Sequence, residues 1–454
     1  MKEKNARMIM GFPNQFWIGV VIMIGVFLKI VYDVSAGFEL STHNVGTWTQ
    51  IVNDIPNSGH IGVIQYYYTY HHLPNFDPTL IVGYSNPPLF YILSALIVQI
   101  CHVFIGWPIG SVLHCIQCLN AVFVMAGCFI GLGMLGKMGL KGKKYVACLV
   151  FVMFFPGFYT LGASLDNTPL AFLFAMLAMS NMVKWYELRT TKCLYKCGIF
   201  LGLGMMTSLT ALAALVPIVV LYLFARFYDR RSTVKVWAKQ GGISLAIALV
   251  LGFFYPVRNL IRFGTPIFYI DQETAAWQQV GSYSLWQRIG LPSFQSLTHL
   301  HLSEETYYEY NIWGQLFKTS VVDESALNLD FRITHLFAVV LLVLIILFAV
   351  LSTVMFVRMM FAGRVGLDHR LFLLSGLVTA VIAYMVTCLT NATVSTMNFR
   401  LFPFAVFFLL AGFGLCGKYN EQDGIFEKVT TRIGVAMIIA ISVLSAFLFG
   451  FYAL

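Results

Sequence analysis

Apolar residues in this chain fall into long, nearly unbroken runs. They occupy about 16–33, 87–106, 111–136, 143–162, 168–184, 197–224, 238–256, 335–357, 371–388, 400–417 and 433–453. Most approach or exceed the roughly 18–20 residues that a helix needs to cross a bilayer core. Within hydrocarbon a segment must satisfy its own backbone hydrogen bonds, so such runs predict helices. The pattern therefore predicts an all-α polytopic membrane protein. It forms one integral domain over 1–454, with about 10–12 transmembrane helices.

Two stretches break the rhythm. Segments 34–86 and 257–334 hold most of the polar, aromatic and acidic residues. Each predicts a long loop, and both lie on the same side once the basic residues are placed. Lys2, Lys4 and Arg7 precede the first run, and the cluster Lys137, Lys141, Lys143 and Lys144 follows the third. Positive charge marks the cytoplasmic side, so the N-terminus is expected in the cytoplasm and both long loops outside. The stretch MKEKNARM before the first run fits a signal peptide or a retained anchor, and an anchor is expected.

The same constraint orders the runs between loops. Residues 87–136 must cross an odd number of times but hold two runs. The run 111–136 is expected to span, and 87–106 to lie re-entrant or interfacial, so that the first outer segment extends over 34–110. Runs 143–162 and 168–184 form a hairpin with SLDN at its outer tip. GLGMMTSLT, in the middle of 197–224, has the glycines and hydroxyls of a broken helix.

Composition agrees with this picture and narrows it. The chain is 59% hydrophobic and 11% charged, against about 25% charged for a soluble domain. Its net charge of +9 resides in short loops between runs, which does not suggest nucleic acid. Of the nine cysteines, Cys115 and Cys118 stand three apart as CIQC inside an apolar run; no second such pair completes a metal-ligand pattern, and the cysteines read as packed thiols. No internal repeat of the kind common in secondary transporters is evident.

Candidate chemistry gathers on the outer side. The first loop carries Asp33, Glu39, His43, Asp54, His60, His71, His72 and Asp77. A hydroxyl attacking a sugar carbon needs a carboxylate or other base within hydrogen-bond reach. The loop also reads as a solvated surface, and its histidines have no clear metal spacing. Asp166 and Asn167 sit at the SLDN tip, where they suit either a site or a helix N-cap before Thr168 and Pro169. Arg258, Lys318 and Arg400 lie outside, against the general charge trend. They suit a lipid phosphate, or else snorkelling or a structural ion pair.

Several stretches resemble, in order, motifs of lipid-dependent glycosyltransferases with the GT-C fold. The closest branch is that of protein O-mannosyltransferases and aminoarabinose transferases. NPPLFYIL is similar to its HPPLYY signature, and SLDNTPLAFLFAMLAM to its hairpin. GLGMMTSLTALAALVPIVVLYLF, YPVRNLIRFGTPI and NFRLFPFAVFFLLAGFG resemble three later runs. The resemblance covers roughly 30–420. It implies a GT-C-type bundle with the active site at the extracytoplasmic face of the cell membrane. It implies an inverting transfer from a polyprenyl-phosphate sugar to a glycan, lipid or protein acceptor, and contact with membrane lipid. Arg258, Arg400 and Lys318 become donor-phosphate candidates. Asp166 becomes an acid near the acceptor, and His43, His60, Asn86 and Asn167 become cavity residues. Asn44 stands where relatives often have the catalytic Asp, and an amide is no base. Asp33 or Asp54 is then the alternative. No cofactor is required by this reading, and a divalent cation is left open. The competing functions are a non-catalytic membrane subunit and a lipid-linked sugar transporter or flippase. A transporter would place ionisable residues deep within its spans.

Overall fold

The computed structural model describes residues 8–9, 12–51, 55–228, 233–271, 279–300, 310–322, 332–361, 365–416 and 425–452. The chain is an all-α polytopic membrane protein. Apart from a two-residue ladder pairing Met8 with Pro13 and Ile9 with Phe12, its regular structure among these residues is helical. Among the described residues, seven helices are long and apolar enough to cross a membrane, and eight if one bent pair counts as a span. The apolar runs suggest more, because several of them fold into short or broken helices.

The first helix, α1 (Asn14–Ser41), runs past the expected end of its apolar stretch and kinks at Gly37, whose φ is 64°. Asp33 therefore lies inside a helix rather than at the start of a loop. Helix α2 (Gly59–Tyr70) follows within the first loop. Helix α3 (Leu89–Val98) begins directly after Pro87 and Pro88, and a π-helical turn continues it over Gln99–Phe104. Proline suits a helix start because the first N–H groups have no partner inside the helix. At sixteen residues the combined element Leu89–Phe104 falls short of a span. The next element, α4 (Ile109–Lys137), is a full-length one.

Pro156 breaks the following run. Helix α5 (Gly142–Phe154) gives way at an extended Phe155 to α6 (Pro156–Ala163), with a 45° bend. Proline offers no N–H to the preceding turn and clashes with its carbonyl, which accounts for the break. After the SLDN tip, α7 (Thr168–Leu188) is mostly buried, with its C-terminal end exposed. Helix α8 (Thr191–Thr207) packs between α7 and α10 (Val234–Phe263). Gly198 and Gly202 permit this closeness: a Cβ at Gly198 would meet the Ser244 carbonyl oxygen at 2.3 Å. The chain breaks at an extended Ser208, as the GLGMMTSLT composition predicts. A 3-10 turn over Leu209–Ala214 then leads into α9 (Leu215–Tyr228).

Helix α10 also outlasts its apolar run. It ends only at Gly264, whose φ of 75° suits a left-handed cap, so Arg258 and Arg262 are helical rather than loop residues. The second long loop holds three short helices, α11 (Leu285–Ile289), α12 (Phe294–Thr298) and α13 (Ile312–Thr319). Two spans follow, α14 (Arg332–Phe361) and α15 (Leu367–Thr390). The 3-10 turn Phe399–Leu401 precedes α16 (Ala405–Leu415), and α17 (Ile425–Tyr452) closes the bundle. Aromatic rings fill much of the core, with Phe158 stacked near Phe172 and Phe407.

Candidate functional site

The two long loops meet at one end of the bundle. The meeting point is the stretch GYSNPP. Asp271 of the second loop accepts the Gly83 amide at 2.7 Å and the Ser85 hydroxyl at 2.9 Å. From α10, the Tyr255 hydroxyl donates to the Tyr84 carbonyl at 2.6 Å. Arg258 donates to the Pro74 carbonyl and to Asn259 Oδ1, and Arg262 donates to Asn75 Oδ1 at 3.3 Å. Tyr84 itself is buried and donates to the carbonyls of Asn57 and Gly62. Pro87 and Pro88 are buried just beyond this clasp, which fixes where α3 starts. Asn86, half-buried, donates to the Gly83 carbonyl.

The SLDN tip is anchored from several directions. Asn120 of α4 donates to the carbonyls of Ser164 and Asp166, and Gln117 donates to that of Ala163. The Thr42 hydroxyl accepts the Leu165 amide at 2.7 Å. Asn167 donates to the Thr207 carbonyl, where the broken helix opens. Asp166 then has its two oxygens set apart. Oδ1 accepts the Thr168 amide at 2.8 Å, where α7 begins, while Oδ2 meets Arg400 Nη1 at 3.2 Å. The ion pair is buried, with each side chain 7% exposed.

Arg400 is positioned by its own short turn. Asn398 Oδ1 accepts the Arg400 amide, and the Thr319 hydroxyl accepts the Phe399 amide at 2.9 Å. That second bond joins the Arg400 turn to α13, whose buried Lys318 is the residue before Thr319. Phe399 and Phe402 flank Arg400 and line an apolar cavity of about 120 Å³. Phe151, Phe155, Trp313 and Tyr384 form other parts of its wall, and Val381, 37% exposed, carries it to the outside of the bundle.

Tyr91 is fully buried on α3. His60 Nδ1 is hydrogen-bonded to its hydroxyl at 2.8 Å, and the two rings stack. Desolvation, then the neighbouring His43, pushes the His60 imidazole down to about 4, so it is neutral near pH 7.

Asn44 is exposed and has φ 49°, a left-handed conformation that asparagine tolerates. Its carbonyl accepts the His60 amide at 2.9 Å. Gly46 and Gly59 cross beside it so closely that a Cβ on Gly59 would lie 2.4 Å from the Asn44 oxygen. The position thus has a backbone role that Asn suits. Asp33 is 1% exposed on α1 and interacts with Lys29, one turn earlier. Lys29 Nζ lies 3.8 Å from the Tyr159 ring centroid, and neither residue's charged group has a hydrogen-bond partner. Asp54 lies outside the described residues. Among the described residues, no three His, Cys, Asp or Glu side chains group as metal ligands.

Asp271, Tyr91, Tyr255 and Asn120 emerge only from the structure. Asn120 leaves a trace in the sequence, since Gln117 and Asn120 are paired polar residues within an apolar span. Asp271 leaves none, because a lone loop acid reads as surface.

No family model matches the chain, and no curated protein matches it. The chain is similar in structure to the archaeal oligosaccharyltransferase AglB from Archaeoglobus fulgidus, solved with an inhibitory peptide and a dolichol-phosphate. The identity is 11% and the TM-score 0.49, over 95% of this chain and 56% of that one. It is also similar to ArnT from Cupriavidus metallidurans in the apo state, at 10% identity and TM-score 0.39, over 96% and 77%. The chain thus spans little more than half the length of the first.

Proposed function

We propose that the chain is a membrane glycosyltransferase of the GT-C type. It takes a sugar from a polyprenyl-phosphate donor and passes it, with inversion, to an acceptor hydroxyl at the extracytoplasmic face of the cell membrane. The carrying observation is the buried Arg400–Asp166 pair, flanked by Phe399 and Phe402 of an apolar cavity. A polyprenyl phosphate combines an apolar chain with an anion, and the short turn that carries Arg400 also supplies two walls of an apolar slot. The fork matches carboxylate and phosphate oxygens alike, so Asp166 holds the place that a phosphate oxygen takes.

In this reading Arg400 binds the donor phosphate, with Lys318 adding positive charge from α13 and Arg258 from α10. Phosphate draws the fork from Asp166 Oδ2, which becomes the base. The acceptor oxygen bonds to the anomeric carbon, the carbon–oxygen bond to phosphate breaks, and the acceptor proton passes to Asp166. The leaving phosphate is already a stable anion, so positioning and electrostatic stabilisation supply most of the acceleration. Asn86, His43, His60 and Asn167 belong to the surrounding wall. The test is transfer from radiolabelled polyprenyl-phosphate hexoses by membranes containing the chain. Normal transfer by both Arg400→Ala and Arg258→Ala would sink the proposal.

The buried Lys29–Asp33 pair within the span Ile18–Phe38 favours a second reading, a carrier of lipid-linked sugar. The variant Lys29→Met, which leaves Asp33 in place, separates the two. A transferase keeps its transfer, whereas a carrier stops moving lipid-linked sugar across vesicles.

A further inference from the structure

Helices α11 and α12 turn large apolar side chains outward. Leu291 is 97% exposed, Phe294 81%, Trp286 80% and Leu285 56%. Leaving such a group in water forgoes about 25 cal/mol per Å² of apolar surface. The local structure is nevertheless well determined. Ser284 forms a capping box with Gln287, and Ser293 caps α12. Asn311 donates to the carbonyls of Gln287 and Gly290, and Trp313 Nε1 donates to that of Ile289 at 2.9 Å.

The inner side of this unit is fastened to two spans. Buried Arg288 donates to the carbonyl of Cys388, in the last turn of α15. His335, in the first turn of α14, bonds the Thr298 carbonyl at 3.1 Å. These contacts set its depth. A helix of 30 residues such as α14 measures about 45 Å, against about 30 Å of hydrocarbon. Its first turn then lies in the headgroup layer, and α11 and α12 lie beside it. The outer faces of both spans are apolar at this level, with Ile333, Leu336 and Val386 all more than half exposed. The outward patch continues a surface that already faces lipid.

We infer that α11 and α12 form an interfacial anchor, with Trp286, Leu291 and Phe294 inserted into the adjoining phospholipid leaflet. Tryptophan suits this layer, where one ring edge is apolar and the N–H stays wet. The anchor also holds Trp313, a wall residue of the apolar cavity, at the membrane surface. The inference does not rest on the transferase reading, since a carrier of the same fold would use it equally.

The test places the photo-crosslinking residue p-benzoylphenylalanine at Leu291 and, separately, at Phe294 in the full chain. The protein is reconstituted in phosphatidylethanolamine–phosphatidylglycerol vesicles, irradiated and weighed intact. Both side chains point outward, so the replacements leave packing unchanged. The expected result is an added mass of one phospholipid at each position. A covalent link to a second protein would make the patch a docking site and overturn the inference, and so would the absence of any lipid adduct at both positions.

Discussion

Arg400 and Asp166, 234 positions apart in sequence, meet in a buried ion pair 3.2 Å long that closes the hairpin tip onto the Arg400 turn. Removing one partner of such a pair strands the other charge and costs about 3–5 kcal/mol. Arg400→Ala should therefore lower the unfolding temperature in detergent as well as abolish transfer. Arg400→Leu combined with Asp166→Leu should regain most of the stability and none of the activity. Recovery of transfer in that double variant would mean the pair is structural only. Arg400→Lys keeps the charge without the fork and should fold, with transfer reduced at least about tenfold.

Arg258 offers a contrast. It ties α10 to the first loop through the Pro74 carbonyl, while Arg262 makes a weaker tie at 3.3 Å to Asn75. If Arg258 binds donor phosphate, Arg258→Ala loses transfer and Arg262→Ala largely keeps it. Equal losses in both variants, with equal new protease cleavage near residue 75, would assign Arg258 to holding the loop.

Membrane class and the break after Thr207 were legible because each depends on local sequence: run length, glycines and hydroxyls. The helix start at Pro87 and Pro88 was legible for the same reason. The span count was not, since Pro156 and the partly polar α7 and α8 alter lengths that apolar runs alone suggest. Arg400 and Asp166 stood out individually as an arginine outside the charge trend and an acid at a hairpin tip. Their pairing depends on how distant helices pack. Asp33 misled because helix α1 continues past its apolar run, so an acid that reads as the start of a loop lies buried inside a helix.

Asn44 tests the catalytic assignment directly. Its side chain is exposed, and its φ of 49° penalises ordinary side chains. Asn44→Gly should leave stability near wild type, and Asn44→Ala should cost roughly 1–2 kcal/mol. Asn44→Asp should fold and raise transfer if a carboxylate at this position serves the acceptor. Unchanged transfer in that variant, together with loss in Asp33→Asn, would reassign the base to Asp33.

Asp271 should act through position. It binds the Gly83 amide and the Ser85 hydroxyl, and so holds the loop leading to α3. Asp271→Ala removes both acceptors and should speed hydrogen exchange at the Gly83 amide. Transfer should fall mainly through a higher KM for the acceptor. A fall in kcat alone, with exchange at Gly83 unchanged, would instead place Asp271 at the reacting atoms.

His60 makes the clasp sensitive to acid. Burial and His43 hold its imidazole at about 4 in the folded protein, against 6.5 for the ordinary group. Between those values the unfolded chain binds a proton that the folded chain does not, so stability rises with pH in this window. It is fully present above about pH 6.5 and is lost as pH falls towards 4. Protonation also removes the ring's capacity to accept from the Tyr91 hydroxyl. Thermal unfolding in detergent from pH 7.5 to 4.5 should show a decline that is shallower in His60→Gln, which cannot take up the proton. Equal slopes for the two proteins would show that other groups carry the acid sensitivity, and that the His60–Tyr91 contact survives protonation.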